Sequence, residues 1–145
     1  MYCDASALLK LYVIEPGSDA FNRVVEGRTD LLVSDLAVTE VVSALSRRAR
    51  QGAGMWKSVH RVQRTIIDSV ERRTYHGIDL TRDVHRRAEH FLLTVTDTPL
   101  RTADALHLAL AVSARAASMA SFDGRRRPRY WSRRVPRVTE EPVTS

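Results

Sequence analysis

Short apolar runs alternate along the chain with longer segments in which apolar residues recur every three or four positions. The short runs predict buried parallel strands, and the longer spacing predicts amphipathic helices. The predicted strands lie at Tyr2–Cys3, 31–33, 78–80 and 118–122, with helices between them. Because strands that alternate with helices form a parallel sheet flanked by helices, the pattern predicts one α/β domain.

The predicted helices have recognisable boundaries. Ser18 can cap the second helical pattern and Thr81 opens the fifth, while either Ser34 or Asp35 can cap the long helix that stops at the glycines after Gln51. The last helix is dense in Ala and Leu, which predicts that it is buried. The helical segments are 5–12, 21–25, 36–51, 56–70, 81–95 and 103–117.

Cysteine content and hydropathy bear on the compartment. Cys3 is the single cysteine, so it forms no internal disulfide, and its place in a predicted strand favours packing over nucleophilic chemistry. No apolar run approaches the ~20 residues of a membrane span, and no signal peptide precedes the first strand. We therefore expect a cytoplasmic protein with no membrane partner.

Four acidic residues lie where ordinary surface acids are not expected. Asp4 and Asp123 each follow a predicted strand, Glu40 interrupts the apolar face of the third helix, and Asp104 opens the buried last helix. The carboxyl ends of parallel strands lie along one edge of a sheet, where α/β proteins bind ligands. The four carboxylates can therefore meet at one site.

Each of these acids also has an ordinary structural explanation. Asp4 can cap the first helix, Asp104 is a favourable first-turn acid, Asp123 suits a turn, and Glu40 can be a partly exposed helix residue. Singly, these explanations are as good as a functional one. Jointly they are weaker, because clustered carboxylates repel one another unless a cation compensates. Oxygen ligands favour Mg²⁺ or Mn²⁺, and the scattered histidines give no zinc pattern.

The segments around these acids resemble a known family. The opening, Met1–Tyr12, resembles the start of PIN-domain ribonucleases, specifically the VapC-type toxins of bacterial toxin–antitoxin pairs. Residues 100–109, which include Asp104, resemble the second acidic motif of that family, and residues 121–123 resemble the third. Glu40, after Thr39, stands where the family has its helical glutamate. The resemblance covers about residues 1–124.

The resemblance implies a fold, an activity and partners. The implied fold is a PIN-like α/β/α sandwich with a short-stranded, mainly parallel sheet flanked by helices. The implied activity is metal-dependent endonucleolytic cleavage of RNA by metal-activated water. Its partners would be RNA, a cognate VapB-type antitoxin and a second copy of the chain in a homodimer. The implied ligands of Mg²⁺ or Mn²⁺ are the carboxylates of Asp4, Glu40, Asp104 and Asp123.

Two further residues match the family. Ser6 corresponds to a hydroxyl residue near the site, and we expect it to orient a carboxylate or a water. His107 lies one turn into an apolar helix, and we interpret it as a packed, hydrogen-bonded histidine. The helix at 56–70 has an apolar face that is either part of the core or, with the preceding helix, one wall of a groove for a partner helix.

The segment after Asp123 departs from the family, which continues with an aliphatic helix and a final strand. Residues 125–137 contain seven arginines, two prolines and no acid, so removing seven charges from the net +6 leaves −1 for the rest of the chain. Prolines and few aliphatics argue against a regular helix there. We therefore divide the chain into a PIN-like nuclease domain, 1–124, and an atypical arginine-rich segment, 125–145. That segment is an RNA-binding element, a solvated extension or an altered end of the domain.

Two other functions are alternatives to the metal-dependent nuclease, and the first of them lacks a residue that it requires. Haloacid dehalogenase-like phosphatases use an aspartyl nucleophile followed two residues later by a second Asp, a position that Ser6 occupies here. A catalytically silent PIN-like module would instead bind RNA or a protein partner. The intact set of acids argues against that module, whereas the unusual C-terminal segment favours it.

Overall fold

The computed structural model describes residues 1–52, 55–97 and 99–122, together with the backbone of residues 133–134. The strands are β1 (Tyr2–Cys3), β2 (Leu32–Ser34), β3 (His76–Ile78), β4 (Ser118–Ala120) and β5 (Arg133–Arg134). The helices are α1 (Ala5–Lys10), α2 (Ser18–Val25), α3 (Asp35–Gln51), α4 (Trp56–Glu71), α5 (Arg82–Thr94) and α6 (Thr102–Ser113).

The strands form one sheet with β1 at its centre, in the order β3-β2-β1-β4-β5. Strands β1 to β4 are parallel, and Cys3 is paired with Val33 on one side and Ala120 on the other. Strand β5 is antiparallel to β4. The predicted α/β fold with a short-stranded, mainly parallel sheet is therefore confirmed.

The two residues of β1 anchor opposite faces of the sheet, because side chains alternate along a strand. Tyr2 packs into a core formed with α5 and α6, which includes Phe91 and Leu110. Cys3 packs on the other face against Ala7 and Phe21. Helices therefore cover both faces, which gives the three-layer arrangement.

Helix α4 contributes its apolar face to the core. Val59 and Ile66 are buried against α3, where they join Val41 and Leu45 in one cluster. Of the two interpretations of this face, the structure favours the core. The larger exposed apolar side chains at this end of the molecule are Met55, Trp56 and Ile67.

The third strand lies two residues earlier than the apolar pattern predicts. Gly77 is at its centre, and a Cβ atom there would approach Val70 Cγ1 of α4 to 2.8 Å. The close packing of β3 on α4 therefore favours glycine at this position. Beyond Ile78 the chain turns, and the amide of Leu80 donates to the carboxylate of Asp35.

Helix α2 begins differently from the prediction, because Gly17 and not Ser18 is its N-cap. Gly17 has a φ of +90°, a conformation that favours glycine. The hydroxyl of Ser18 instead accepts a hydrogen bond from the amide of Glu15 and donates one to the carbonyl of Val13. Of the two caps predicted for α3, Ser34 is the one observed, and Thr81 is the N-cap of α5; each accepts from a backbone amide.

The arginine-rich segment is described only in part. Its Arg133–Arg134 backbone forms β5, so a final strand is present although the composition departs from the family. The remaining residues of 123–145, including Asp123, lie outside the described residues. Among the helices that the structure describes, none is long and apolar enough to cross a membrane.

Candidate active site

The carboxylate of Asp4 lies at the carboxyl end of the central strand. Asp4 is only 6% exposed, and its amide donates to the carbonyl of Ala120 in the adjacent β4. Its Oδ1 atom accepts from the amide of Ala7 at 2.9 Å, so Asp4 caps α1 as well as facing the sheet edge. Both the capping and the functional interpretations of Asp4 are therefore compatible with its position.

Burial makes the ionised form of the Asp4 carboxyl less favourable. Desolvation raises the pKa of its carboxyl above the ordinary value, and hydrogen bonds from Ser121, Ser6 and Ala7, with the field of His107, partly offset that rise. Burying a carboxylate is unfavourable unless donors or a cation compensate for the lost water. Acidic residues whose pKa is shifted by burial are common in binding and catalytic sites.

Ser6 connects Asp4 with the chain that leaves β4. Its hydroxyl donates to Asp4 Oδ1 at 2.7 Å and accepts from the amide of Phe122 at 2.6 Å. The residue after Phe122 is Asp123, whose own position lies outside the described residues. The expectation that Ser6 orients a carboxylate is consistent with these two contacts.

Glu40 is held by a residue from another helix. Its Oε2 atom lies 2.6 Å from Nε2 of His107 on α6, and its side chain remains 33% exposed. His107 is itself 4% exposed and contacts the hydroxyl of Tyr2 through Nδ1 at 2.6 Å. The interpretation of His107 as a packed, hydrogen-bonded histidine is therefore correct, and its partner is one of the predicted site acids.

Asp104 lies on the same helix, three residues before His107. Residues three apart share one face of a helix, so Asp104 lies one turn from the contact between His107 and Glu40. Its Oδ2 atom accepts from the amide of Arg101 at 3.3 Å, which is the first-turn role that its position predicts. Asp104 is partly buried.

The donor set has the chemistry that Mg²⁺ or Mn²⁺ prefers. Asp4, Glu40 and Asp104 supply carboxylate oxygens, and Mg²⁺ commonly binds one or two carboxylates and keeps several waters. Within residues 1–52, 55–97 and 99–122, no three acidic, histidine or cysteine side chains already form a compact cluster for an ion. Within this described part of the chain the structure therefore does not bring Asp4, Glu40 and Asp104 together as a preformed metal site, although their carboxylate oxygens are the ligands that Mg²⁺ prefers.

Sequence reasoning missed the role of Tyr2 and of Ser34. Tyr2 was assigned only to an apolar strand and Ser34 only to a helix cap, yet their hydroxyls lie 2.8 Å apart behind His107. A usable signal existed, because the hydroxyl of a tyrosine in a buried strand requires a polar partner. The identity of that partner depends on the packing of α6 on the sheet, which no local pattern encodes.

Comparison with known proteins identifies the family and the fold of this chain. The family model for the PIN domain matches residues 1–129. Ribonuclease VapC46 of Mycobacterium tuberculosis (strain ATCC 25618 / H37Rv) is 33% identical over 111 residues, which cover 77% of this chain and 73% of that protein. The crystal structure of Mycobacterium tuberculosis VapC20, described as a sarcin-ricin loop cleaving toxin, superposes with a TM-score of 0.68. That match covers 86% of this chain and 90% of VapC20 at 16% identity, so it shows a shared fold. The chain belongs to the PIN-domain family, as a VapC-type member.

Proposed function

We propose that this protein is a metal-dependent endoribonuclease that acts as the toxin of a toxin–antitoxin pair. The main support is the buried carboxylate of Asp4 at the carboxyl end of the central strand, fixed by Ser6 and Ala7. The 33% identity with a ribonuclease of the VapC type supports the same activity. The proposed cofactor is Mg²⁺ or Mn²⁺, and the proposed location is the cytoplasm.

The proposed roles follow from the chemistry of each side chain. Asp4, Glu40, Asp104 and Asp123 are the proposed metal ligands, and Ser6 keeps Asp4 in place. A bound divalent ion would supply positive charge at the scissile phosphate and lower the pKa of a water. The buried position of Asp4 keeps competing water away from one side of the site, which strengthens electrostatic interactions there.

The proposed partners are RNA and a VapB-type antitoxin, with a second copy of the chain in a homodimer. The exposed apolar side chains of Met55, Trp56 and Ile67 provide surface for a protein partner. The arginines of residues 125–137 provide positive charge for RNA. A catalytically silent module with the same fold would keep these partners and lack cleavage.

A cleavage assay with and without a chelator tests the proposed activity. The purified protein is incubated with single-stranded RNA in EDTA, and then with excess Mn²⁺ or Mg²⁺. We expect cleavage only with the metal and products without 2′,3′-cyclic phosphates, because water and not the 2′-hydroxyl attacks. Cleavage that persists in EDTA and leaves cyclic ends would contradict the proposal. No cleavage under any of these conditions would favour the silent module.

A further inference from the structure

A continuous series of hydrogen bonds leads from the start of α3 to the carboxylate of Glu40. The amide of Ala37 donates to Ser34 Oγ at 3.0 Å, and Ser34 Oγ lies 2.8 Å from the Tyr2 hydroxyl. The Tyr2 hydroxyl lies 2.6 Å from His107 Nδ1, and His107 Nε2 lies 2.6 Å from Glu40 Oε2. We call these four side chains, Ser34, Tyr2, His107 and Glu40, the Glu40 relay.

The two ends of the Glu40 relay determine the direction of its hydrogen bonds. The amide of Ala37 can only donate, and an ionised Glu40 can only accept. When His107 is neutral, Nε2 carries the proton that is donated to Glu40, Nδ1 accepts from the Tyr2 hydroxyl, and that hydroxyl accepts from Ser34. In this direction each hydroxyl donates once and accepts once.

The relay connects a partly exposed side chain to a rigid core. Ser34, Tyr2 and His107 are buried, and they come from β2, β1 and α6. Glu40 is the exposed end, and a free glutamate on a helix surface would exchange among several rotamers. Holding Oε2 removes that freedom and leaves the second carboxylate oxygen for an ion. Comparable hydrogen bonds to metal-binding side chains commonly set the affinity of a site for its ion.

We infer that His107 is a positioning residue that, through the Tyr2 hydroxyl, fixes the Glu40 carboxylate in its metal-binding orientation. The inference rests on the proposed function, in which Glu40 is a ligand of Mg²⁺ or Mn²⁺. It extends the site to groups that touch neither the ion nor the RNA. A purely structural role for His107 would affect folding stability and leave metal affinity unchanged.

Two amide substitutions distinguish the roles of the two ring nitrogens of His107. Glutamine in His107→Gln can place its amide nitrogen near the position of Nε2 and donate to Glu40. Asparagine in His107→Asn reaches only the position of Nδ1, so it can contact Tyr2 and cannot reach Glu40. The control is His85→Gln, because His85 is exposed on α5. Mn²⁺ affinity is measured by calorimetric titration of each protein without RNA, and urea unfolding monitors stability.

We expect His107→Asn to weaken Mn²⁺ binding about 10- to 100-fold, the range found when groups behind a metal ligand are removed. His107→Gln and His85→Gln should bind Mn²⁺ nearly as the wild type does. At limiting Mn²⁺ the kcat of His107→Asn should fall while the KM for RNA is unchanged, and excess Mn²⁺ should restore kcat.

Equal Mn²⁺ affinities for His107→Asn, His107→Gln and the wild type would overturn the inference while leaving the proposed function intact. Equal weakening in the Asn and Gln variants would also overturn it, because the donor to Glu40 would then not matter. If His107→Asn fails to fold, Tyr2→Phe replaces it, since that variant loses only the hydroxyl. Tyr2→Phe should then bind Mn²⁺ more weakly than the wild type, and unchanged affinity would overturn the inference. A wild-type protein that binds no Mn²⁺ would overturn both the inference and the proposed function.

Discussion

The hydroxyl of Ser6 donates a 2.7 Å hydrogen bond to Oδ1 of Asp4. The same hydroxyl accepts a hydrogen bond from the amide of Phe122, and so it ties the end of β1 to the segment that leaves β4. One small side chain thereby holds a buried carboxylate and the chain that precedes Asp123.

Replacing Ser6 by alanine should impair both stability and catalysis. The part-buried amide of Phe122 would lose its hydrogen bond to the Ser6 hydroxyl, and a hydrogen bond of this kind contributes about 0.5–1.5 kcal/mol. Asp4 would also lose one of the donors that compensate for its burial. Ser6→Thr keeps a hydroxyl and is the matched control. Urea unfolding and RNA cleavage measure the two effects, and wild-type values for both in Ser6→Ala would contradict this role.

Replacing Asp4 by asparagine should stabilise the metal-free protein at neutral pH. Burial raises the pKa of Asp4, so the ionised carboxylate is less favourable in the folded state than in water. Asparagine still caps α1 and carries no charge. A gain of about 1 kcal/mol would raise Tm by roughly 2–4 °C for a chain of this size. The melting temperatures are measured in EDTA, and a lower Tm for Asp4→Asn would contradict the prediction.

Glu15 should stabilise the fold in a pH-dependent way. Partial burial acts to raise the pKa of its carboxyl, but hydrogen bonds and charges from Arg48 and Lys10 outweigh that effect and lower the pKa. The folded state then binds fewer protons than the unfolded state, so this stabilisation is present above the ordinary value of 4.5 and is lost as the pH falls through the folded value.

Glu15→Gln should therefore be less stable than the wild type at neutral pH, by about 1 kcal/mol or less as for other ion pairs near a surface. The difference should disappear in acid. Urea unfolding of both proteins across this pH range measures it, with Asp19→Asn as a control at an exposed acid. A stability difference that is constant with pH would show that the ion pairs are not its cause.

The arginines that precede β5 should increase the affinity for RNA. Replacing Arg125, Arg126, Arg127 and Arg129 by glutamine leaves Arg133 and Arg134 in place. The salt dependence of RNA binding should become shallower by about 0.7 in log–log slope for each phosphate that the protein no longer binds. Lysine at the same four positions is the control, because it keeps the charge. An unchanged slope in the glutamine variant would leave these arginines without a role in binding.

Co-expression with the product of the adjacent gene should yield a stable complex that lacks ribonuclease activity. The physical basis is an antitoxin segment that covers the site and neighbouring apolar surface. Trp56→Ser should weaken the complex if the exposed part of α4 is in the interface. Size-exclusion chromatography and the cleavage assay measure both outcomes. Failure to form any complex would count against the toxin role.

The order of strands and helices was predictable because it depends on local sequence signals. The bounds of β3 and the N-cap of α2 were predicted wrongly because they depend on contacts that those signals do not encode. The strand at His76–Ile78 was misplaced because Gly77 is favoured by contact with Val70, a residue on another element. The cap of α2 was misassigned because Ser18 instead bonds to Val13 and Glu15. For the strand a contact with another element overrode the local pattern, and for the cap a hydrogen-bonded turn just before the helix did so.

The acids of the candidate site could be selected from the sequence because each lies next to the apolar residues of a predicted strand or helix. Glu40 stands in an apolar helical face, and Asp4 follows a buried strand. The contact between Tyr2 and His107 could not be predicted, although each of the two buried polar groups requires some hydrogen-bond partner. Their connection spans 105 positions of the chain, and only the packing of α6 on the sheet brings the two together.

The most direct test of the metal-dependent nuclease is a comparison of two carboxylate variants in one cleavage assay. Asp104→Asn and Asp19→Asn each remove a first-turn acid from a helix, but only Asp104 is a proposed metal ligand. With saturating RNA and Mn²⁺, we expect cleavage to be nearly abolished in Asp104→Asn and unchanged in Asp19→Asn, while both remain folded. Wild-type cleavage by a folded Asp104→Asn protein would contradict the assignment of this site.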